Sequence, residues 1–373
     1  MVTFKNVNNM KTIEDYNLKL NPFRTTPASD PNEIIWAGFD DVKEKIENRI
    51  KRAISMPNSS LVLNWGEYGS GKTHAARFFQ KEDILSRLSG EKPLPIPFLL
   101  DFPQGKEPVK ELYTQVIDKL DLKDLRNRFK TLDTTDILQK CTDNVLIQNI
   151  LKLLFDNQVS ETLIKTYLYG NAQIKDFVNH NVQRKLESDN DYTEFLAALF
   201  SFIAYEKNKF SCVIMWFDEF ENIATLNMSN VTKMNGCIRT LMDKAPNNLL
   251  IFMNLTQSAM MDVDDLSAYL QESVLSRIKE KIELPIPDET QVKEYLKGLL
   301  NNPIYRLNKG NDSCEFSPFS EDVVDKIIKD LGASASLRKY NEIFSALLDN
   351  AMYDNIDEIN LKYYNSIKNE ILG

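Results

Sequence analysis

Four short runs of mostly apolar residues occur along the chain, at residues 60–65, 95–101, 212–217 and 248–253. Runs of this length, bounded by polar residues, predict β-strands, and the continuous run at 212–217 is typical of a strand buried on both faces of a parallel sheet. Polar residues follow the runs, at the end where α/β sheets place their ligands. The pattern therefore predicts an α/β fold with its chemistry at one edge of the sheet.

Helical periodicity dominates much of the remaining sequence. Apolar residues recur at spacings of three and four in Val145–Phe155, which is typical of an amphipathic helix, and comparable patterns predict helices over 41–54, 109–120, 134–140 and 160–169. The chain between the strands at 95–101 and 212–217 is about twice as long as a simple βαβ crossover needs. We therefore expect a helical insertion at about 107–190, followed by a helix over 192–205 that covers the sheet.

The two ends of the chain differ from this α/β region. Residues 1–30 are rich in Asn, Lys and Pro and show little periodicity, so we expect an N-terminal arm that docks on a neighbouring subunit. Four helices are predicted after residue 286, at 289–300, 321–331, 336–351 and 361–372. The sequence thus predicts an arm at 1–30, an α/β domain at 31–286 and a helical domain at 287–373.

Composition narrows the class of protein. The 373 residues carry a formal net charge of −9, which argues against a protein that coats nucleic acid by bulk positive charge. The four cysteines are widely spaced and there are only two histidines, so reduced thiols in a cytoplasm are expected rather than a zinc site. No apolar run is long enough to cross a bilayer, and we expect no membrane partner.

A complete phosphate-binding motif follows the first predicted strand and precedes a helical segment that begins at His74. It comprises Gly66, Glu67, Tyr68, Gly69, Ser70, Gly71, Lys72 and Thr73. The glycines allow the backbone to curl so that successive N–H groups face one anion, and the helix N-terminus adds partial positive charge. Lys72 can reach the β- and γ-phosphates, and the Thr73 hydroxyl can hold Mg²⁺. The motif predicts a nucleoside triphosphate site.

Acidic and polar residues after two later strands complete the predicted site. Asp218 follows the run at 212–217 and is suited to the Mg²⁺ shell, while Glu219 is suited to activate the attacking water as a general base. Thr256 is the first candidate for orienting that water or sensing the γ-phosphate, and Asn254 is the second. Either residue could equally be an ordinary polar residue at the end of a strand.

The order of these motifs resembles that of the AAA+ ATPases, most closely the origin-recognition and transposition-regulator types. Ile34, Ile35 and Trp36 resemble the segment that packs on adenine in that superfamily. The stretch Val274-Leu-Ser-Arg277 resembles the one whose arginine reaches the ATP of a neighbouring subunit. Residues 332–338 resemble the start of the lid helix that carries a second sensor arginine, here Arg338.

Both arginines also have simpler interpretations. Arg277 could be a surface residue on an amphipathic helix. Arg338 adjoins Lys339, and either base could be solvated. The resemblance implies a parallel five-stranded P-loop sheet with helices on both faces, a helical insertion and a C-terminal helical lid. It also implies ATP and Mg²⁺ as cofactors, and a homo-oligomer with ATP at subunit interfaces.

Three uses of such an ATPase remain open. The first is a DNA-linked process such as initiation, transposition regulation or phage defence, with DNA or a nuclease or recombinase as a partner. The second is an ATP-controlled switch that recruits a partner protein. The third is a protein remodeller, for which the segment Tyr167-Leu-Tyr-Gly170 would have to line a pore.

Two further observations bear on DNA. Residues 123–130 are locally basic, which is compatible with phosphate contacts but also with a solvated helix face. The chain ends at Gly373, where the resemblance would place a winged-helix domain, so we expect that domain to be absent.

Overall fold

The computed structural model describes residues 10–26, 30–130, 134–155, 158–257, 261–308 and 314–372. The strands are β1 (Ser60–Gly66), β2 (Ile96–Asp101), β3 (Val213–Asp218), β4 (Leu249–Thr256) and β5 (Ile278–Glu283). The helices of the first half are α1 (Asp40–Ser55), α2 (Lys72–Phe78), α3 (Glu82–Ser89), α4 (Pro108–Lys119), α5 (Leu122–Phe129), α6 (Thr134–Cys141), α7 (Val145–Phe155) and α8 (Glu161–Leu168).

The remaining helices are α9 (Asp189–Ile203), α10 (Met228–Lys244), α11 (Leu266–Tyr269), α12 (Glu272–Leu275), α13 (Glu289–Leu300), α14 (Glu321–Leu331), α15 (Leu337–Tyr353) and α16 (Leu361–Ile371). Short 3-10 helices lie at Ile13–Tyr16, Pro31–Glu33, Ile174–Asp176, Val178–His180, Tyr205–Lys207 and Phe220–Thr225. Among the described residues, no helix is both long and apolar enough to span a membrane.

The five strands form one parallel sheet in the order β2-β3-β4-β1-β5. Val213 of β3 lies opposite Ile96 of β2 and Leu249 of β4. Every residue of β3 is buried, as expected for a continuous apolar run in the interior of a parallel sheet. β5 is an edge strand with mostly exposed or half-exposed side chains. In this order, β4 lies between β1 and β3. The phosphate-binding motif follows β1, and the Asp218-Glu219 pair stands at the end of β3.

The chain forms two structural units, and the sheet belongs to the larger one. This unit consists of the described residues of Lys45–Trp65 and Phe79–Glu283. Its core joins the sheet to the insertion helices in one apolar cluster, in which Phe202 of α9 stacks near Phe129 and Phe155. The insertion helices therefore share the core of the sheet rather than forming a separate one.

The second unit consists of the described residues of Met1–Glu44, Gly66–Phe78 and Leu284–Gly373. Its core is built by the four C-terminal helices α13 to α16 together with residues of the N-terminal segment. Tyr16, Leu18 and Phe23 are buried in this core, and the ring of Phe23 stacks on Phe344 at 5.3 Å. Residues 10–26, expected as an arm, thus contribute apolar side chains to the packing of the C-terminal helices.

The predicted fold class is confirmed, since the chain has a five-stranded parallel sheet with helices and a helical C-terminal region. The predicted strands and C-terminal helices agree with β1 to β4 and α13 to α16 to within three residues. Several elements were not predicted, among them α3, α11, β5 and α10. The position of β5 was not assigned, and α10 has a sequence of mixed polarity that buries Val231, Met234, Ile238 and Leu241 on one face.

The basic segment at 123–130 has a structural role. Arg126 is buried, and its guanidinium donates to the carbonyl oxygens of Leu154 at 2.8 Å and Leu153 at 3.1 Å, at the C-terminal end of α7. Positive charge is favourable at a helix C-terminus, where the last carbonyls lack helical partners. Arg128 pairs with Asp124 at 2.7 Å. Arg126 is therefore not a phosphate contact, and the solvated-face interpretation is also wrong for it.

The Tyr-Leu-Tyr-Gly segment is a packed helix end. Tyr167 is buried, and its hydroxyl donates to the carbonyl of Arg184 at 2.7 Å. Gly170 has a φ of +76°, and its N–H donates to the carbonyl of Tyr167 at 2.8 Å after α8 ends. A glycine in this conformation is a common helix C-cap. Tyr167 is therefore not displayed as a pore-lining side chain in this conformation.

Candidate nucleotide site

The phosphate-binding motif adopts a curled loop in the smaller unit. Gly69 and Gly71 have φ values of +80° and +99°, a region that residues with a Cβ rarely adopt. The N–H of Ser70 donates to the carbonyl of Glu67 at 3.2 Å, which closes a tight turn, and α2 begins at Lys72. The sequence therefore folds locally into the loop and helix start that the motif predicts.

Lys72 supplies a buried positive charge inside this loop. Its ammonium group donates to the carbonyls of Gly66 and Glu67, both at 2.9 Å, and to the Ser70 hydroxyl at 3.2 Å. The side chain is only 7% exposed. Backbone carbonyls and a hydroxyl thus hold the ammonium group inside the loop, where its charge can attract a phosphate group.

The start of helix α15 approaches the loop within the same unit. A Cβ built on Gly69 would lie 2.8 Å from the Ser336 hydroxyl and 2.9 Å from the Arg338 Cβ. A Cβ on Gly66 would lie 2.3 Å from the carbonyl oxygen of Leu284. Only glycine permits these approaches without movement of the neighbouring chain.

The structure separates the two adjacent bases at the start of α15. The Arg338 guanidinium lies 4.4 Å from the centre of the Tyr68 ring and donates to the Tyr68 hydroxyl. The Lys339 ammonium instead lies 3.6 Å from the carboxylate of Glu342. Arg338 is therefore the base that faces the loop.

The predicted adenine segment packs against the helix that follows the loop. His74 Nε2 lies 2.6 Å from the Ile35 carbonyl, and because a carbonyl only accepts, this nitrogen carries a proton. The Trp36 ring lies 5.3 Å from Phe78 and donates through Nε1 to the Gly38 carbonyl at 2.7 Å. Ile35 is buried in the core of the unit and Trp36 is half-buried.

In the larger unit, a chain of hydrogen bonds crosses three strands near their carboxyl ends. The Asn64 amide donates to Asn254 Oδ1 at 3.1 Å, and the Asn254 amide donates to Asp218 Oδ1 at 3.1 Å. Asn64 and Asn254 are fully buried, and Asp218 is 7% exposed. A carboxylate so held is fixed in direction, which is what a metal-shell ligand requires.

Asn254 and Thr256 have different surroundings. Asn254 lies inside β4 rather than beyond its end, and it contacts Asp218 directly. The Thr256 N–H donates to the Glu221 carboxylate at 2.8 Å. The geometry favours Asn254 over Thr256 as the polar residue of β4 that acts with Asp218. Asn64 was not predicted, although a lone amide in an apolar strand is a usable signal.

Glu219 leaves β3 in a strained conformation. Its φ is +53°, in the left-handed region that residues with a Cβ seldom adopt. The side chain is exposed, and its Oε2 accepts from the Asn222 amide at 3.2 Å. The backbone thus turns directly after Asp218, so the two adjacent acids have different environments, one buried and one exposed.

Arg277 lies between α12 and β5 rather than on an amphipathic helix. Its guanidinium donates to the Asp243 carboxylate and to the Ser273 carbonyl. About 30% of its side chain is exposed. Asp243 also lies 3.5 Å from Arg239. The pairing orients Arg277 at the surface of the larger unit.

In the smaller unit, the loop has glycines at positions where a Cβ would clash and a buried ammonium group, a combination that suits a triphosphate. In the larger unit, Asp218 has a carboxylate oxygen of the kind that Mg²⁺ prefers. In addition, Asn64 Oδ1 is buried and has no hydrogen-bond partner among the described residues. A buried acceptor of this kind is normally satisfied by water or a donor.

Known structures share this architecture. The Aeropyrum pernix ORC2 protein, solved as ADPNP-ADP complexes, aligns with a TM-score of 0.54 at 12% identity, over 95% of this chain and 72% of that one. This chain has the fold of the AAA+ initiator proteins. The Cdc6p protein from Pyrobaculum aerophilum aligns with a TM-score of 0.51 at 12% identity, over 92% of this chain and 68% of that one.

A third structure with the AAA+ initiator fold, Drosophila ORC bound to DNA, aligns with a TM-score of 0.50 at 12% identity, over 100% of this chain and 69% of that one. No protein-family model and no curated protein sequence matches this chain. Structural alignments at identities this low establish the fold of the chain. The activity of the chain has to be argued from its own residues.

Proposed function

We propose that this chain is a Mg²⁺-dependent ATPase of the AAA+ type. The observation that carries the proposal is the meeting of two cations at the phosphate-binding loop. Lys72 lies within the curled loop, and Arg338 of α15 lies against Tyr68 of the same loop. Two fixed positive groups beside the backbone of a curled, glycine-rich loop suit a polyphosphate. The preference for ATP over other nucleotides rests on the AAA+ resemblance.

Each residue of the proposed site has a distinct task. Lys72 neutralises the β- and γ-phosphates, and Arg338 binds the terminal phosphate. Thr73 and Asp218 supply oxygen ligands for Mg²⁺, which when bound offsets negative charge on the phosphates. Asn254 fixes the orientation of the Asp218 carboxylate through its hydrogen bond to Oδ1. Glu219 accepts a proton from the water that attacks the γ-phosphate, which is the task of a general base.

We further propose that ATP is hydrolysed at the interface between two copies of the chain. Arg277 would reach the nucleotide of a neighbouring subunit and stabilise the charge that develops during phosphoryl transfer. Its position supports this role, because the guanidinium is partly exposed and is held by a surface carboxylate rather than buried. A chain in isolation would then be a poor ATPase.

A DNA-linked process is the proposed biological use, with initiation, transposition regulation and phage defence as the candidate settings. The Drosophila ORC neighbour is described as bound to DNA, and DNA or a nuclease or recombinase would be the partner here. An ATP-controlled switch is the second candidate. The net charge of −9 and the structural role of Arg126 favour it, since both reduce the positive surface available to DNA.

The remodeller proposal receives less support than the other two. A pore-lining loop requires aromatic side chains that protrude into a channel, whereas Tyr167 is buried and its hydroxyl is hydrogen-bonded.

Assembly provides the test of the shared site. We expect the purified protein to be mainly monomeric without nucleotide and to form oligomers with Mg²⁺ and ATP, because Arg277 gains a phosphate partner only in an assembly. Light scattering coupled to size-exclusion chromatography measures the mass in each state. A mass that ATP leaves unchanged, for the wild type and for Glu219→Gln alike, would contradict the shared site.

The same samples with added duplex DNA separate the two uses of the ATPase. A DNA-linked enzyme should turn over ATP faster with DNA at low ionic strength, and this stimulation should decline as salt is added. Turnover that is indifferent to DNA at low salt would favour the switch.

A further inference from the structure

Tyr68 is a largely exposed aromatic residue of the phosphate-binding loop. Its side chain is 67% exposed, so burial of the ring does not explain an aromatic residue there. The contact that the structure gives it is with Arg338, whose guanidinium lies 4.4 Å from the ring centre and donates to the hydroxyl. A guanidinium over an aromatic face is attracted by the electron density of the ring.

The backbone around Tyr68 is adapted to this contact. The next residue, Gly69, allows the loop to approach Ser336 and Arg338 more closely than a residue with a Cβ would. Lys339, the neighbouring base, is directed at Glu342 instead. The loop thus selects one of two adjacent cations and holds it beside the phosphate-binding backbone.

We propose that Tyr68 is a positioning residue that holds Arg338 ready for the terminal phosphate, so that the lid helix distinguishes a triphosphate from a diphosphate. This inference rests on the proposed function, since it requires nucleotide in the loop. Tyr68 acts through Arg338 and has no role in the chemical step.

The physical reason is the entropy of a long side chain. An unrestrained arginine samples many rotamers, and fixing it on a phosphate has a cost that a preformed contact reduces. Loss of the Tyr68 ring therefore weakens the contact between Arg338 and the γ-phosphate. ADP lacks that phosphate, so its affinity should not change.

The test compares the affinities for ATPγS and ADP, each with Mg²⁺, by calorimetric titration. We expect Tyr68→Ala to lower the preference for ATPγS over ADP by about fivefold, as for loss of an exposed cation–π contact. Tyr68→Phe keeps the ring and should retain the preference to within about twofold. Lys339→Ala is the matched control and should behave as the wild type does.

A double substitution shows whether Tyr68 acts through the arginine. We expect Tyr68→Ala to have no further effect on the preference in an Arg338→Ala background, because interacting residues are not additive. Additive effects, equal losses for both nucleotides or an unchanged preference in Tyr68→Ala would each overturn the proposal. A wild-type protein that binds neither nucleotide would instead overturn the proposed ATPase itself, so the two failures are distinguishable.

Discussion

The substitution Glu219→Gln is expected to lower ATP turnover by about a hundredfold or more, the usual range for loss of a general base, while leaving ATP affinity nearly unchanged. The amide keeps the size of the side chain and can still accept from Asn222, but it cannot take a proton from water. Phosphate release at saturating ATP measures the turnover, and a titration with ATP on the same protein measures the affinity.

The neighbouring acid Glu221 is the matched control for this prediction. It lies two residues further along, and its carboxylate accepts from the Thr256 N–H, a bond that a glutamine can also accept. Glu221→Gln should therefore retain most of the turnover. Loss of turnover in Glu221→Gln combined with normal turnover in Glu219→Gln would show that Glu221, and not Glu219, is the general base.

The substitution Arg277→Ala is expected to lower turnover by about a thousandfold, the effect typical of an arginine supplied in trans to phosphoryl transfer. ATP binding to the isolated chain should persist, because the residue acts on the site of another copy. Steady-state turnover over a range of protein concentrations checks this, since the wild type should gain activity per chain as it assembles and the variant should not.

Mixing provides the decisive comparison for Arg277. An Arg277→Ala chain retains its own Glu219, and a Glu219→Gln chain retains its own Arg277, so mixed assemblies should recover part of the activity that each variant lacks. Arg239→Ala is the control, because Arg239 also pairs with Asp243 without a proposed role. Full turnover by Arg277→Ala alone would show that the residue is only a surface group.

Much of the fold could be predicted because local pattern and global structure agree. A wholly apolar run such as 212–217 can be stable only between other strands, and β3 is buried along its whole length. The helices α13 and α14 have periodic apolar faces and were predicted to their last residues. In α10 the apolar residues Val231, Met234, Ile238 and Leu241 also recur at spacings of three and four, but buried polar residues lie among them and weaken the pattern.

The site could be predicted where the motif itself determines geometry. Positive φ values at Gly69 and Gly71 follow from the spacing of glycines in the loop. The hydrogen-bond chain from Asn64 through Asn254 to Asp218 depends on the strand order, which places β4 between β1 and β3. Without that order, the sequence alone ranks Thr256 ahead of Asn254.

The remaining errors concern charged side chains, whose partners are distant in sequence. The basic segment around Arg126 is compatible with phosphate contacts. In the structure, Arg126 is buried and donates to two carbonyls at the end of α7, which lie 27 and 28 residues further along the chain. Arg338 and Lys339 could not be separated by pattern, because the choice depends on how the loop meets the start of α15.

Titration of ATP with Mg²⁺ into the wild-type protein and into Lys72→Ala, side by side, tests the central claim most directly. We predict saturable binding of one nucleotide per wild-type chain, and an affinity about a hundredfold weaker in Lys72→Ala, as expected for loss of about 3 kcal/mol of charged hydrogen bonding. The control Lys110→Ala removes a lysine that is 46% exposed and paired with Glu107, and it should bind as the wild type does. Equal affinity in the wild type and Lys72→Ala would contradict the account.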